Sequence, residues 1–193
     1  MVQKQTEAKL DRRESGSLGT VRRETRVPPP ELKEDQMPTV LRTAEIEWTG
    51  SIARGSGLVS GGSGAITDLP LTIASRIGHP EGKTSPEELI AAAHAGCFTM
   101  AIGSILAAQG TPPERLNVTA TVTLEVSGRP AIASSELDVH GVVPGIDAAS
   151  FDRAAREAEI NCPVSRALQG NVQIRVRAAL DEPSASSAAH RAE

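Results

Sequence analysis

From Thr43 onward, apolar and polar positions repeat with two different periods. Ala44, Ile46 and Trp48 alternate with Glu45, Glu47 and Thr49, which predicts a strand with one wet face. Gly50, Gly55 and Gly57 mark turns, Gly57-Leu58-Val59-Ser60 predicts a second short strand, and Leu71 to Arg76 predicts a third. His79-Pro80-Glu81-Gly82-Lys83 reads as a loop. The next run, Thr84-Ser85-Pro86-Glu87-Glu88-Leu89-Ile90-Ala91-Ala92-Ala93-His94-Ala95-Gly96-Cys97-Phe98-Thr99-Met100, has helical composition and an explicit start. Ser85 caps the free N–H groups, Pro86 suits the first helical position, and Glu88 completes a capping box. Glu87 and Glu88 also favour the positive end of the helix dipole. Gly110 and Pro112 end the run, so about twenty-four residues rising 1.5 Å each predict a rod roughly 36 Å long. Apolar almost all round, it predicts a core helix that organises the rest of the chain.

Beyond Pro113, Val118, Ala120, Val122, Leu124 and Val126 alternate with Thr119, Thr121, Thr123 and Glu125, the clearest strand in the chain. Ser127-Gly128-Arg129-Pro130 turns it into a second strand ending near Val142-Val143. Asp147 or Ser150 caps a helix through Phe151, Ala154, Ala155 and Ala158. That helix must break before Pro163, because a residue preceding proline avoids the helical region. Cys162 is therefore expected at a kink, with a short second helix from Pro163 to Gly170. A last strand carries Val172, Ile174, Val176, Ala178 and Leu180 inward and Gln173, Arg175 and Arg177 outward. Three strands, a long helix, two strands, two short helices and a strand define an α+β fold. Residues 1–41 mix charges without apolar periodicity and include Pro28-Pro29-Pro30, which predicts a disordered extension ahead of a domain over 42–181. Residues 182–193 read as a flexible tail.

Composition narrows the function. A chain of 193 residues suits one domain plus tails, and with aromatic residues at only 2% the core must be built from Ala, Val, Ile and Leu. A net charge of −4 argues against nucleic acid as an obligate partner. Arg12-Arg13 and Arg22-Arg23 are interleaved with acids and read as a solvated tail rather than a binding patch. Gly61-Gly62-Ser63-Gly64 is not followed by Lys-Ser or Lys-Thr and is not a phosphate loop. The N-terminus lacks the apolar run of a secretory signal. Ala91 to Ala108 is long enough to span a bilayer, but His94, Gln109 and the many Ala and Gly speak against it. A cytoplasmic protein without membrane association is expected. There the two cysteines, Cys97 in the long helix and Cys162 at the kink, are catalytic, redox-active or simply buried rather than a permanent staple.

A thiolate that cleaves a peroxide O–O bond becomes a sulfenic acid, which a second thiol condenses to a disulfide. One cysteine in a helix and another at a movable kink suit that cycle, although the cysteine count alone favours two small buried hydrophobes. The flanking residues change the balance. Thr-Ser-Pro-Glu-Glu-Leu followed by Ala-Ala-His-Ala-Gly-Cys-Phe-Thr-Met, residues 84–89 and 92–100, resembles the signature helix of the OsmC/Ohr family of thiol peroxidases. Asn161-Cys162-Pro163-Val164-Ser165 resembles the second cysteine motif in its OsmC-branch form. The resemblance spans roughly residues 43–180 and includes neither tail. It implies mixed and antiparallel sheets packed around the central helix in an intertwined homodimer, with Cys97 attacking and Cys162 resolving.

An apolar helix centre raises a thiol pKa, so an active Cys97 requires a cation. Arg76 matches the arginine that the OsmC branch places upstream of Pro-Glu-Glu, and Arg54 falls where the Ohr branch carries its own; Arg76 ranks first. Without the resemblance, either is equally well an exposed arginine at a strand end. Glu87 matches the glutamate that holds the family's arginine, and it also complements the helix dipole. Ten residues separate Glu87 from Cys97, about 15 Å along an unbroken helix. If the carboxylate serves this sulfur, a second helix must deliver it across a two-fold axis, and Ala91-Ala92-Ala93 would permit close approach.

His94, three residues before Cys97, is favoured as a satisfied core histidine over a nucleophile partner, and no cluster accompanies it to make a metal site. Leu89, Ile90, Phe98 and Met100 line either an oily pocket for an organic hydroperoxide or the core. The expected activity is cofactor-free reduction of organic and inorganic hydroperoxides in oxidative-stress defence, with an external dithiol as reductant. The alternatives are a non-catalytic binder of a hydrophobic ligand and a redox sensor signalling through a Cys97–Cys162 disulfide. Ile73-Ala74-Ser75-Arg76-Ile77 lacks the aromatics that often flank the family's arginine, which leaves substrate preference open.

Overall fold

The computed structural model describes residues 39–182; the expectations for residues 1–38 and 183–193 lie outside the described residues. The long helix, α2, runs Pro86–Ala108 over 23 residues. The Ser85 hydroxyl accepts the Glu88 N–H at 3.1 Å, while Glu88 itself stays exposed. Gly110 turns the chain out of the helix at φ 77°, a conformation that suits glycine. The helix is not buried all round, as its composition predicts. Glu87, His94, Phe98, Ile102 and Leu106 form the buried stripe, at the helical spacing of one face. Ala92, Ala93, Gly96, Met100 and Ala107 lie exposed, with Met100 69% accessible. Composition gives a helix its average polarity but not the number of its covered faces. By length and hydropathy alone α2 could cross a membrane, yet its buried stripe is part of a packed protein core.

That core lies between α2 and a second layer. Strands β4 (Arg115–Glu125) and β5 (Ala131–Val142) are antiparallel, with a bulge at Thr123/Leu124. Strand β6 (Gln173–Leu180) pairs with β5 in parallel. The parallel step requires a crossover, supplied by helices α3 (Ala148–Asn161) and α4 (Pro163–Leu168). Leu116, Val118 and Ala120 alternate inward along β4 as the sequence predicts. Asp147 rather than Ser150 caps α3, accepting the Ser150 N–H at 2.7 Å. Phe151 packs so tightly on β5 that a Cβ added at Gly141 would lie 2.5 Å from its ring.

The first sheet is different. Strands β1 (Ala44–Thr49), β2 (Ser56–Gly61) and β3 (Leu69–Leu71) form an antiparallel meander whose main contacts are with one another. Ile46 is 57% exposed, so the apolar side of β1 that the alternation assigns to a core is uncovered within one chain. The third strand also stops early. Thr72 begins a capping box with Ser75, which starts the short helix α1 (Ile73–Ile77). Arg76 therefore sits on a helical turn, not at a strand end. The hydroxyl pair three residues apart overrides the β-forming Leu and Ile around it.

Candidate active site

Pro163 fixes the second cysteine. It excludes helical backbone from the preceding residue, so Cys162 is extended at φ −71° and ψ 117°, ending α3 and opening α4. Its side chain is fully buried, whereas Cys97 on α2 is half-buried; both are free thiols. Cys97 packs against the core cluster that contains Cys162 and shares a cavity wall with Asn161 and Pro163, the two chain neighbours of Cys162. The environments of the two thiols pull them apart. Burial pushes the Cys97 thiol up; the Val164 N–H pulls it back in part, and a Cys162 thiolate nearby raises it further. Burial also opposes the Cys162 thiolate, but the Ser165 N–H, the Cys97 thiol, the Ser165 hydroxyl and the Val164 N–H together bring its pKa below the ordinary value. Within one protomer, Cys162 is the more acidic thiol.

An apolar cavity of about 630 Å³ opens beside Cys97, walled by Met100, Ala101 and Ile105 of α2 and by Glu157, Asn161 and Pro163. Of the four residues expected to make an oily pocket, only Met100 lines it; Phe98 is fully buried in the core, and Leu89 and Ile90 are elsewhere. Glu157 and Asn161 escaped sequence reading because their place at the cavity depends on where Pro163 breaks the helix.

Arg76 and Glu87 do meet. The Arg76 Nε donates to both carboxylate oxygens at 3.2 and 3.1 Å, and Nη2 donates to Oε1 at 2.7 Å. Such a fork fixes the guanidinium as well as neutralising it. Hydrogen bonding to Glu87 raises the Arg76 pKa. For Glu87, burial is the largest single influence and works upward, but the bonds and charge of Arg76, its own backbone N–H and the Ser85 hydroxyl together outweigh it, so the pKa falls below its ordinary 4.5. This pair is not at Cys97. Glu87 and Cys97 share one unbroken helix, which keeps them about 15 Å apart along its axis. The pair borders a separate cavity of about 600 Å³ with Lys83 and the edge of β4. Arg54 lies exposed in the β1–β2 turn, and lines neither of these cavities.

His94 is fully buried, with Nδ1 2.7 Å from Ser135 Oγ on β5 and Nε2 2.9 Å from Ser165 Oγ on α4. Burial lowers its pKa and keeps the ring neutral. It is the satisfied core histidine expected, but Ser135 and Ser165 as its partners were not foreseen, since they come from 41 and 71 residues downstream. Among the described residues, no group of three or more His, Cys, Asp or Glu could hold a metal.

Comparison with known proteins places this geometry. Residues 78–177 match the family described as OsmC-like protein, a span that includes Glu87, Cys97 and Cys162 and begins just after Arg76. Peroxiredoxin OsmC of Escherichia coli is 39% identical over 137 residues, 70% of this chain and 95% of that one. The crystal structure of an organic hydroperoxide resistance protein OsmC from Legionella pneumophila aligns with a TM-score of 0.57 at 26% identity, covering 73% of this chain and 99% of its own. A putative organic hydroperoxide resistance protein from Vibrio cholerae, solved with captopril in one of its active sites, aligns at 0.59 with 26% identity, covering 75% and 95%. Two thiols facing each other across a proline-broken helix, on a fold shared over nearly the whole length of these proteins, make the chain a member of the OsmC-like family.

Proposed function

We propose that the chain is a thiol peroxidase that reduces organic and inorganic hydroperoxides, with Cys97 attacking and Cys162 resolving. The placement of Cys97 at an apolar cavity it shares with the two chain neighbours of Cys162 carries this reading. The names of its relatives, a peroxiredoxin and organic hydroperoxide resistance proteins, point the same way. The Cys97 thiolate attacks one oxygen of the O–O bond, that bond breaks, and the other oxygen leaves as alcohol or water after taking a proton from solvent. The sulfur becomes a sulfenic acid. The Cys162 thiolate then attacks the Cys97 sulfur, the S–S bond forms, and the hydroxyl leaves with a proton as water. An external dithiol reopens the disulfide, and no bound cofactor enters the cycle. A reducing cytoplasm suits both free thiols.

An upward-shifted Cys97 needs a cation, and Arg76, held in a fork by Glu87, is the candidate. We assign it to the sulfur of a second copy. The uncovered stripe of α2, with its small Ala93 and Gly96, and the exposed apolar side of β1 support a dimer built across this helix. In that assembly each active site takes its sulfurs from one chain and its arginine from the other. Glu87 holds Arg76, and Arg76 stabilises the thiolate and orients the peroxide. A redox sensor or a binder of hydrophobic ligands is the second reading, favoured by the raised Cys97 pKa within one chain.

Peroxide consumption with a dithiol separates these readings. Sustained turnover that Cys97→Ser abolishes supports the peroxidase. Disulfide formation without turnover supports the sensor, and indifference to peroxide supports the binder.

A further inference from the structure

The buried histidine has a use beyond filling the core. We propose that His94 is a positioning residue which, through the Ser165 hydroxyl, holds Cys162 as a resolving thiolate. The polarity of the chain follows from counting protons. A serine hydroxyl has one hydrogen to donate. Ser165 is the third residue of α4, the helix that Cys162 opens, so its hydroxyl sits within one turn of that residue as well as 2.9 Å from the His94 ring, and a hydrogen donated to the sulfur favours the thiolate. The Ser165 oxygen must then accept from His94, so Nε2 carries the hydrogen. The neutral ring leaves a lone pair at Nδ1, and Ser135 donates there at 2.7 Å. The order is Ser135 to His94 to Ser165 to Cys162, with each hydrogen pointing towards the sulfur.

Burial makes this direction consequential. His94, Ser135 and Cys162 are fully buried and Ser165 nearly so, so no water competes for the hydroxyl hydrogen. If the histidine were the Nδ1–H tautomer, Ser165 would donate to Nε2 and turn its oxygen lone pairs towards the sulfur, which disfavours a thiolate. Other titratable groups around Cys162 are few. Cys97 faces it from α2, Glu157 lines the neighbouring cavity from α3, β5 contributes the neutral Ser135, and Arg166 of α4 is exposed. The role in turnover rests on Cys162 being the resolving thiol. In that step the Cys162 sulfur attacks the Cys97 sulfenic sulfur, the S–O bond breaks, and water leaves with a proton from solvent.

The thiolate can be measured without peroxide, which separates this proposal from the peroxidase reading. In a Cys97→Ser background Cys162 is the one remaining cysteine, and the chain contains no tyrosine, so absorbance at 240 nm against pH reports its ionisation alone. Ser165→Ala should raise the Cys162 pKa, with a roughly ten-fold loss of thiolate at the parent midpoint. His94→Gln, whose amide N–H occupies the place of Nε2, should keep the parent midpoint within a few-fold. His94→Asn, whose amide reaches Ser135 but not Ser165, should behave like Ser165→Ala. A Ser165→Ala variant that titrates with its parent overturns the proposal. So does an equal shift in His94→Gln and His94→Asn, which would mean that the ring only fills space.

Discussion

The two regions of α2 to which we assign chemistry are complementary. At its start the helix offers a rigid charge: Glu87 grips Arg76 through three hydrogen bonds, in a cavity without a sulfur. Halfway along it offers Cys97, packed against the core that holds Cys162 of the α3–α4 junction and beside an apolar cavity that no arginine or lysine lines. A straight helix cannot bend its first turn onto its fourth, so the separation is set by backbone geometry rather than by side-chain choice. An isolated protomer should accordingly have its acidic thiol at Cys162 and a sluggish one at Cys97. Joining the two ends needs a second helix running the other way, and the uncovered small residues between them leave room for one.

The largest expected effect tests the sulfur region. Cys97→Ser should reduce peroxide consumption by roughly a thousand-fold or more, since Cys97 is the thiol that lines the cavity while Cys162 is fully buried. Cys162→Ser should still consume one equivalent and then stall as a trappable sulfenic acid; full turnover in that variant would break the two-thiol cycle. Next comes the charge region. Arg76→Ala should slow the reaction of Cys97 with peroxide by about a hundred-fold. Glu87→Gln should cost less, because the arginine survives but loses its fork. Rates unchanged in both variants would remove the pair from the mechanism.

Stability sharpens the contrast between covered and uncovered faces. Gly141→Ala should destabilise by about 1–3 kcal/mol in urea unfolding, because its Cβ would strike the Phe151 ring. Gly96 has no atom within 4 Å of its would-be Cβ inside one chain. On a truly free helix face Gly96→Ala would stabilise by up to about 1 kcal/mol. Coverage by a second α2 predicts the reverse, a weakened and concentration-dependent transition.

The smallest effects are those of acid. His94 is neutral when folded with its pKa below 6.5, so the unfolded chain takes up a proton first and stability declines as pH drops below about 6.5. Glu87, lowered beneath 4.5, adds a second decline as pH falls through its folded value. Stability against pH should lose the first decline in His94→Gln and the second in Glu87→Gln.

Much of this was readable from local chemistry. The caps at Ser85 and Asp147, the proline break at Cys162 and the alternation of β4 each depend on residues a few positions apart, and all formed where expected. The errors share a cause. Leu71 to Arg76 looks like a strand until the Thr72 and Ser75 hydroxyls are paired, and α2 looks like a core helix because composition does not reveal how many faces find a neighbour. The link from His94 to Ser135 and Ser165 could not be seen at all, since register between β5, α2 and α4 decides it.

Mixing two inactive proteins tests the central claim most directly. Arg76→Ala and Cys97→Ser chains, unfolded together and refolded, should regain about a quarter of wild-type peroxidase activity, because half of random dimers are mixed and each carries one complete site. A mixture as inactive as its parents would mean that the arginine of one chain does not serve the sulfur of the other.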